Sequence, residues 1–266
     1  MASSRVGDNI FGITLAGLTG IYVILILALL LSGAAFTSFE DIGRAFASGP
    51  IRYSVMLSLV TCTIAALLAL WVAVPAGYIL ARWNFPGKTL IDAIFDIPIV
   101  LPPLVVGLFL LILFESALGK LFQEHVMRVT YEIPAVVLAQ FCVATAFAVR
   151  TMRITFEQID PRTEQVALVL GCSKRQAFTR VSMPQAAKGI VAAGTLAWAR
   201  ALGEFGPILV FAGATREKTE VLPTTIFLEW SIGDLGAAVA VSLILVGLAL
   251  LVLIATRLLG FKGVLG

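Results

Sequence analysis

The stretch Glu164-Gln165-Val166-Ala167-Leu168-Val169-Leu170-Gly171-Cys172-Ser173-Lys174-Arg175-Gln176-Ala177-Phe178-Thr179-Arg180-Val181-Ser182-Met183-Pro184 is part of a polar island in a chain made otherwise of apolar runs. Its spacing predicts two short helices with a break. Gly171 suits the left-handed position that ends a helix, and Ser173 with Gln176 three residues on has the form of a capping box that starts the next. Pro184 has no amide N–H to continue the hydrogen-bond ladder and is expected to stop that second helix. Along it, Ala177, Phe178 and Val181 make a small apolar face flanked by Lys174, Arg175 and Arg180. Such a face suits insertion into a groove on another protein, or rest on lipid headgroups.

Outward from this island the chain is oily. Of its 266 residues, 59% are apolar and 13% charged, against about 45–50% and about 25% in soluble domains. Six stretches, at 11–33, 54–81, 93–114, 134–149, 189–213 and 236–258, approach the roughly 20 apolar residues that a bilayer-spanning helix needs. The expected fold is therefore all-α, a polytopic membrane protein with six transmembrane helices. The first run exceeds a signal-peptide core of about 7–15 residues and reads as a retained anchor. We divide the chain into an N-terminal helix with its outer loop (1–53), a transmembrane domain (54–258) and a short tail (259–266). No internal repeat is evident.

Short cytoplasmic loops carry an excess of Lys and Arg. With both termini inside, the inner side holds Arg5, Arg82, Lys88, Arg150, Arg153, Arg162, Lys174, Arg175, Arg180, Lys188, Arg257 and Lys262; the outer side holds Arg44, Arg52, Lys120, Arg128, Arg216 and Lys218. Twelve against six favours cytosolic termini. Seven of the twelve lie between 150 and 188, so this loop is where a cytosolic partner is expected.

Several chemistries are disfavoured. A net charge of +3 leaves no basic footprint for nucleic acid. Cys62, Cys142 and Cys172 have neither disulfide nor ligand spacing, and His125 has no Cys or His near it, so neither a metal nor a cofactor on this chain is expected. Gly87-Lys88-Thr89 is not a phosphate loop, because Arg82 stands where the pattern requires Gly. Within the fifth stretch, Arg200 and Glu204 are spaced for an intrahelical ion pair, and ionisable groups at membrane depth also commonly line a pathway. Gly203, Gly206 and Pro207 free backbone beside them. Gly189, Ala193, Ala197 and Ala201 form a stripe suited to close helix contact. In the third stretch Asp96, Pro98, Pro102 and Pro103 interrupt the helix, as a kink or as backbone beside water.

The Glu164–Pro184 stretch resembles the EAA loop of binding-protein-dependent ABC importer permeases, whose signature is E-A-A, three residues, Gly, nine residues, then I-x-L-P. Gly171, Val181, Met183 and Pro184 occupy the Gly, Ile, Leu and Pro places. The E-A-A triplet falls on Gln165, Val166 and Ala167, with Glu164 one place early. The resemblance implies a coupling element contacting an ATPase through Glu164, Gln165, Ala167, Gly171, Ser173, Phe178, Val181 and Pro184. Residues 54–258 also resemble the permeases of molybdate, tungstate and sulfate importers, through Leu101 to Gly107, Ala199 to Gly206, and Leu222-Pro223-Thr224. This implies a type I ABC importer permease fold in a prokaryotic cytoplasmic membrane, with lipid around it and a tetrahedral oxyanion as cargo.

The implied pathway candidates are Pro102, Pro103, Arg200, Glu204 and Thr224. The implied partners are an extracytoplasmic binding protein, a second permease subunit forming a homodimer, and an ATPase that carries ATP and Mg. Three alternatives remain open at this stage. One is the same machine with another cargo, such as phosphate. Another is an ion-driven secondary transporter, which usually shows inverted repeats. The third is a membrane-embedded enzyme, which needs a cluster of reactive side chains, whereas one histidine and the spanning acids Asp96 and Glu204 are few.

Overall fold

Backbone N–H and C=O groups in a hydrocarbon layer must be satisfied within their own segment, which leaves helices as the solution for isolated apolar runs. The computed structural model describes residues 2–262, all helical or connecting turns with no strand among the described residues. The order is α1 (Ala2–Phe36), α2 (Phe39–Ala47), α3 (Gly49–Arg82), α4 (Lys88–Val100), α5 (Pro103–Glu115), α6 (Ala117–His125) and α7 (Ile133–Gln158). Then come α8 (Pro161–Val169), α9 (Lys174–Ala177), a π-helical turn (Phe178–Ser182), α10 (Met183–Leu202), α11 (Gly206–Phe211), α12 (Leu222–Ser231) and α13 (Leu235–Lys262). The expected tail at 259–266 runs past the end of the described residues.

Four helices are each long and apolar enough to cross a bilayer: Phe11–Phe36 within α1, α3, α7, and Leu235–Thr256 within α13. The third predicted stretch is a bent pair, α4 and α5, turned through 111°. The cause lies at Leu101, which is extended as residues before proline tend to be, and at Pro102 and Pro103, which offer no N–H. The fifth predicted stretch is α10, a break at residues 203–205, and the short α11. At about 1.5 Å per residue, the 20 residues of α10 are long enough to span. Its Ala-rich sequence, with Lys188 and Arg200, is less apolar than the four.

Small residues decide how closely the central helices approach. Ala65, Ala66, Ala69 and Ala73 of α3 cluster with Ala144, Ala148 and Met152 of α7. A Cβ on Gly77 would lie 2.7 Å from Met152 Cβ and 2.8 Å from Arg153 N, so the two backbones meet there. Gly189 presses on Thr155, and Ala193, Ala197 and Ala201 are buried, which seats α10 in the same core. The predicted stripe is thus a packing face. Parallel α3 and α7, in contact from Cys62 and Gln140 to Gly77 and Met152, place Arg82 beside Ile159 at one end of the bundle. Toward the other end, Leu222 N donates to Ser58 Oγ, 2.8 Å, and Leu57, Val136, Ile208, Phe211 and Val221 form a second core.

Candidate functional site

The α8–α9 unit is built by its caps. The Asp160 side chain accepts from Arg162 N (2.9 Å) and Pro161 follows it, a favourable helix start. At the far end Gly171 takes φ +91°. Its N–H donates to Leu168 O, and Cys172 N donates to Ala167 O, both at 3.0 Å, the paired bonds of a Schellman motif. Ser173 then starts α9 with a complete capping box: Gln176 N to Ser173 Oγ, 3.3 Å, and Ser173 N to Gln176 Oε1, 2.8 Å. These features match the sequence expectation.

Beyond α9 the structure departs from it. Pro184 does not stop the helix but sits in the first turn of α10. The π turn at Phe178–Ser182 makes room: Met183 N reaches back five residues to Phe178 O, and this wider turn accommodates a ring that an ordinary helical turn cannot. The loop is thereby helically continuous with α10. The apolar face on Ala177, Phe178 and Val181 also turns inward, toward the protein's own helices. Ala177 is buried, and the Phe178 ring meets Tyr78 edge-on at 4.6 Å and Phe156 at 6.3 Å. The most exposed apolar residues of the loop lie instead on α8 and its C-cap, at Val166 (58%), Val169 (88%) and Leu170 (78%), with Leu168 less so (40%). Spaced i, i+3, i+4, the first three share one face. Sequence reasoning passed over them, although an apolar run inside a polar loop was the signal. Gln165, Gly171, Ser173 and Pro184 are exposed and Ala167 is buried.

Glu164 points away from that exposed face. Tyr78 Oη donates to its Oε2 (2.8 Å) and Arg82 Nε to its Oε1 (3.0 Å), while Arg82 also donates to Ile159 O (2.8 Å). Burial raises the carboxyl pKa, but this is outweighed by the nearby Ser182 hydroxyl, which lies outside strict hydrogen-bond geometry, and by Tyr78 and Arg82. The group is held below the ordinary carboxylate range.

At membrane depth the two interrupted helices cross at their breaks. A Cβ on Gly107 of α5 would lie 2.6 Å from Pro207 Cα, and one on Gly206 would lie 3.1 Å from both Leu104 N and Pro103 Cβ. Beside this junction Arg200 Nη1 is 2.8 Å from Glu204 Oε2, an ion pair not aligned as a hydrogen bond. The Arg200 guanidinium also sits 5.6 Å from the Phe147 ring centre, within cation–π range. Glu204 is buried, Arg200 half-buried, and Pro102 and Pro103 are exposed. The structure thus brings four of the five pathway candidates to one region. The fifth, Thr224, is buried at the start of α12, whose Phe227 ring lies 5.5 Å from that of Phe205 in the break, and its hydroxyl donates to Val221 O (2.8 Å) and accepts from Val221 N (2.9 Å). It caps its own helix.

Sequence comparisons with known proteins agree on one family. Residues 73–262 match the family described as binding-protein-dependent transport system inner membrane component. A sulfate transport system permease protein of Salmonella typhimurium is 35% identical over 179 residues, 66% of this chain and 65% of that protein, just under two thirds of its length. A molybdate/tungstate transport system permease protein of Pyrococcus abyssi is 36% identical over 200 residues, 75% of each chain. A probable molybdenum ABC transporter permease protein of Haloferax volcanii is 38% identical over 204 residues, 76% of this chain and 73% of that one. Among solved structures, a chain of a bacterial alginate ABC transporter superposes with a TM-score of 0.73 at 15% identity, covering 93% of this chain and 92% of that one. A chain of the methionine ABC transporter MetNI gives 0.65 at 17% identity, covering 81% and 98%. At such identities the likeness is one of fold.

Proposed function

The chain belongs to the family of binding-protein-dependent transport system inner membrane components, and we propose that it is the permease subunit of an ATP-driven importer for a tetrahedral oxyanion such as sulfate, molybdate or tungstate. The observation that carries this reading is the capped α8 helix, which offers Val166, Val169 and Leu170 outward and continues through the π turn into α10. An exposed apolar face on a charged loop suits a groove on a cytosolic ATPase, the partner to which we assign ATP and Mg. Membership in an inner membrane family supports residence in a prokaryotic cytoplasmic membrane, and the basic residues of the α8–α9 end support cytosolic termini. A binding protein then docks at the opposite end, and a second copy of the chain completes the pore.

Displacement of α8 by the ATPase passes along α10 to its break at 203–205, where α11 crosses α5. Alternating access follows from shifting this crossing. An oxyanion there meets the Arg200 guanidinium in competition with the Glu204 carboxylate that pairs with it, with Pro102 and Pro103 at the same junction.

The test is uptake of labelled sulfate, molybdate and tungstate into proteoliposomes containing this chain, its ATPase and its binding protein. Uptake requiring ATP and inhibited by competing oxyanions is expected. Uptake driven by an ion gradient without ATP overturns the reading. Val169→Asp places a carboxylate in the docking face, and burying a side chain of this kind is worth roughly 1.5–3 kcal/mol, so ATPase association is expected to weaken by tenfold or more.

A further inference from the structure

Glu164 lies next to the place where the family signature has its acidic residue, and a carboxylate on a coupling loop invites the assumption that it meets the ATPase. Helical geometry argues otherwise. At 3.6 residues per turn each residue advances about 100°, which places Val166, Val169 and Leu170 roughly 140–240° around α8 from Glu164. Glu164 therefore belongs to the opposite face, with buried Ala167. Its side chain is 13% exposed and that of Arg82 only 8%. Both carboxylate oxygens are engaged, by Arg82 Nε at 3.0 Å and Tyr78 Oη at 2.8 Å, both from α3.

The contacts around this pair join four elements. Arg82 ties itself to Ile159 O at the end of α7 (2.8 Å). The Tyr78 ring packs at 5.4 Å on Phe156 of α7 and at 4.6 Å on Phe178 of the π turn. Thus α8 is held to α3 by a charge-assisted bond with little water access, the setting in which such bonds are strongest, and not merely by loop connectivity.

We propose that Glu164 is a positioning residue that clamps α8 to the end of α3 through Arg82 and Tyr78, so that displacement of the docking face moves α3 together with α10. The clamp transmits the stroke; it does not bind the partner. This rests on the transport reading above, and separates two jobs on one short helix: docking on the outward face, transmission on the inward one.

The test uses the complete transporter in proteoliposomes, with three readouts: ATPase association, binding-protein-stimulated ATP hydrolysis, and anion imported per ATP hydrolysed. Glu164→Gln keeps the size and removes the charge. Expected are ATPase association within twofold of the unmodified complex, persistent hydrolysis, and a fall of fivefold or more in anion imported per ATP. Arg82→Gln is expected to do the same, and the double variant no worse than either single one. Tyr78→Phe, which keeps the ring and loses one hydrogen bond, covers the case in which the charged-pair variants fail to fold; a roughly twofold fall is expected.

A merely structural role lowers the amount of assembled complex and leaves anion per ATP unchanged, which overturns the proposal. Association weakened as in Val169→Asp overturns it as well, because Glu164 then touches the partner. Unmodified vesicles that import nothing with ATP overturn the transport reading and this proposal together, whereas working vesicles with an unaltered Glu164→Gln ratio overturn the proposal alone.

Discussion

Replacing Gly107 by alanine tests the crossing of the two broken helices, on which the pathway reading depends. The added Cβ lies 2.6 Å from Pro207 Cα, 2.8 Å from Pro207 O and 3.1 Å from Pro207 C, where ordinary contact begins near 3.4 Å. Subtracting 2.6 from 3.4, α5 and α11 must part by about 0.8 Å. The obstacle is backbone, and proline holds it stiffly because its ring fixes φ. Gly206 leans on Leu104 N and Pro103 Cβ from the other side, which restricts escape in that direction. Overpacking of this kind costs about 1–3 kcal/mol, offset by the roughly 0.5–1 kcal/mol that alanine gains over glycine inside a helix. A net loss of about 0.5–2 kcal/mol is expected, or roughly 1–8 °C in Tm at about 2–4 °C per kcal/mol.

Gly247→Ala is the internal control, since nothing lies within 4 Å of its added Cβ and a neutral or slightly higher Tm is expected there. Thermal unfolding of the purified chain reads stability, and anion uptake by the assembled transporter reads the junction. Gly107→Ala should lower both, and Gly107→Val should lower them further. A Gly107→Ala chain as stable and as active as Gly247→Ala would show that the breaks do not touch as described, and the path from α10 to the junction would fall with it.

Two further predictions use other parts of the chain. Ser173→Ala removes the side-chain half of the capping box at a cost of about 0.5–2 kcal/mol; amide hydrogen exchange at Gln176 should then quicken by roughly 2- to 30-fold, and unchanged exchange contradicts the cap. Glu220, in the connection between α11 and α12, is buried with both carboxylate oxygens unpartnered. Burial pushes its carboxyl above the ordinary value; Thr225 and Arg216 pull against this, while Glu229 and Glu217 add to it. The folded state therefore holds this proton more tightly than the unfolded chain does. Its contribution is fully present below the ordinary carboxyl value and is lost as pH rises through the raised one. Glu220→Gln should flatten the fall in Tm as pH rises above the ordinary carboxyl value; parallel curves for the two proteins refute the assignment.

Much of this protein follows from interactions between residues a few positions apart. The apolar runs require helices because hydrocarbon offers the backbone no other partner. The Schellman end at Gly171 and the box at Ser173 involve contacts spanning three to five residues, so their chemistry is visible in order along the chain. The stripe Gly189–Ala201 declares close packing for the same reason, since residue size on one helical face is a local property. Pro184 marks where such reasoning fails: its ring forbids an ordinary turn, but whether the chain breaks or widens into a π turn depends on what packs around it.

The rest was decided only when helices took their places beside one another. An amphipathic pattern declares that Phe178 has an apolar face but not which surface covers it, and the covering rings, Tyr78 and Phe156, come from α3 and α7. Glu164 and Arg82 are 82 residues apart in the chain; nothing in either neighbourhood specifies the other, and the pair forms because α3 and α7 run parallel and end side by side, where α8 begins. Gly107 meets Pro207 on the same terms, whereas the bonds of the Thr224 hydroxyl to Val221 span only three residues. Capping energies and helix periods act over a few residues of chain, whereas clamps and crossings depend on distances through space that one-dimensional spacing does not encode.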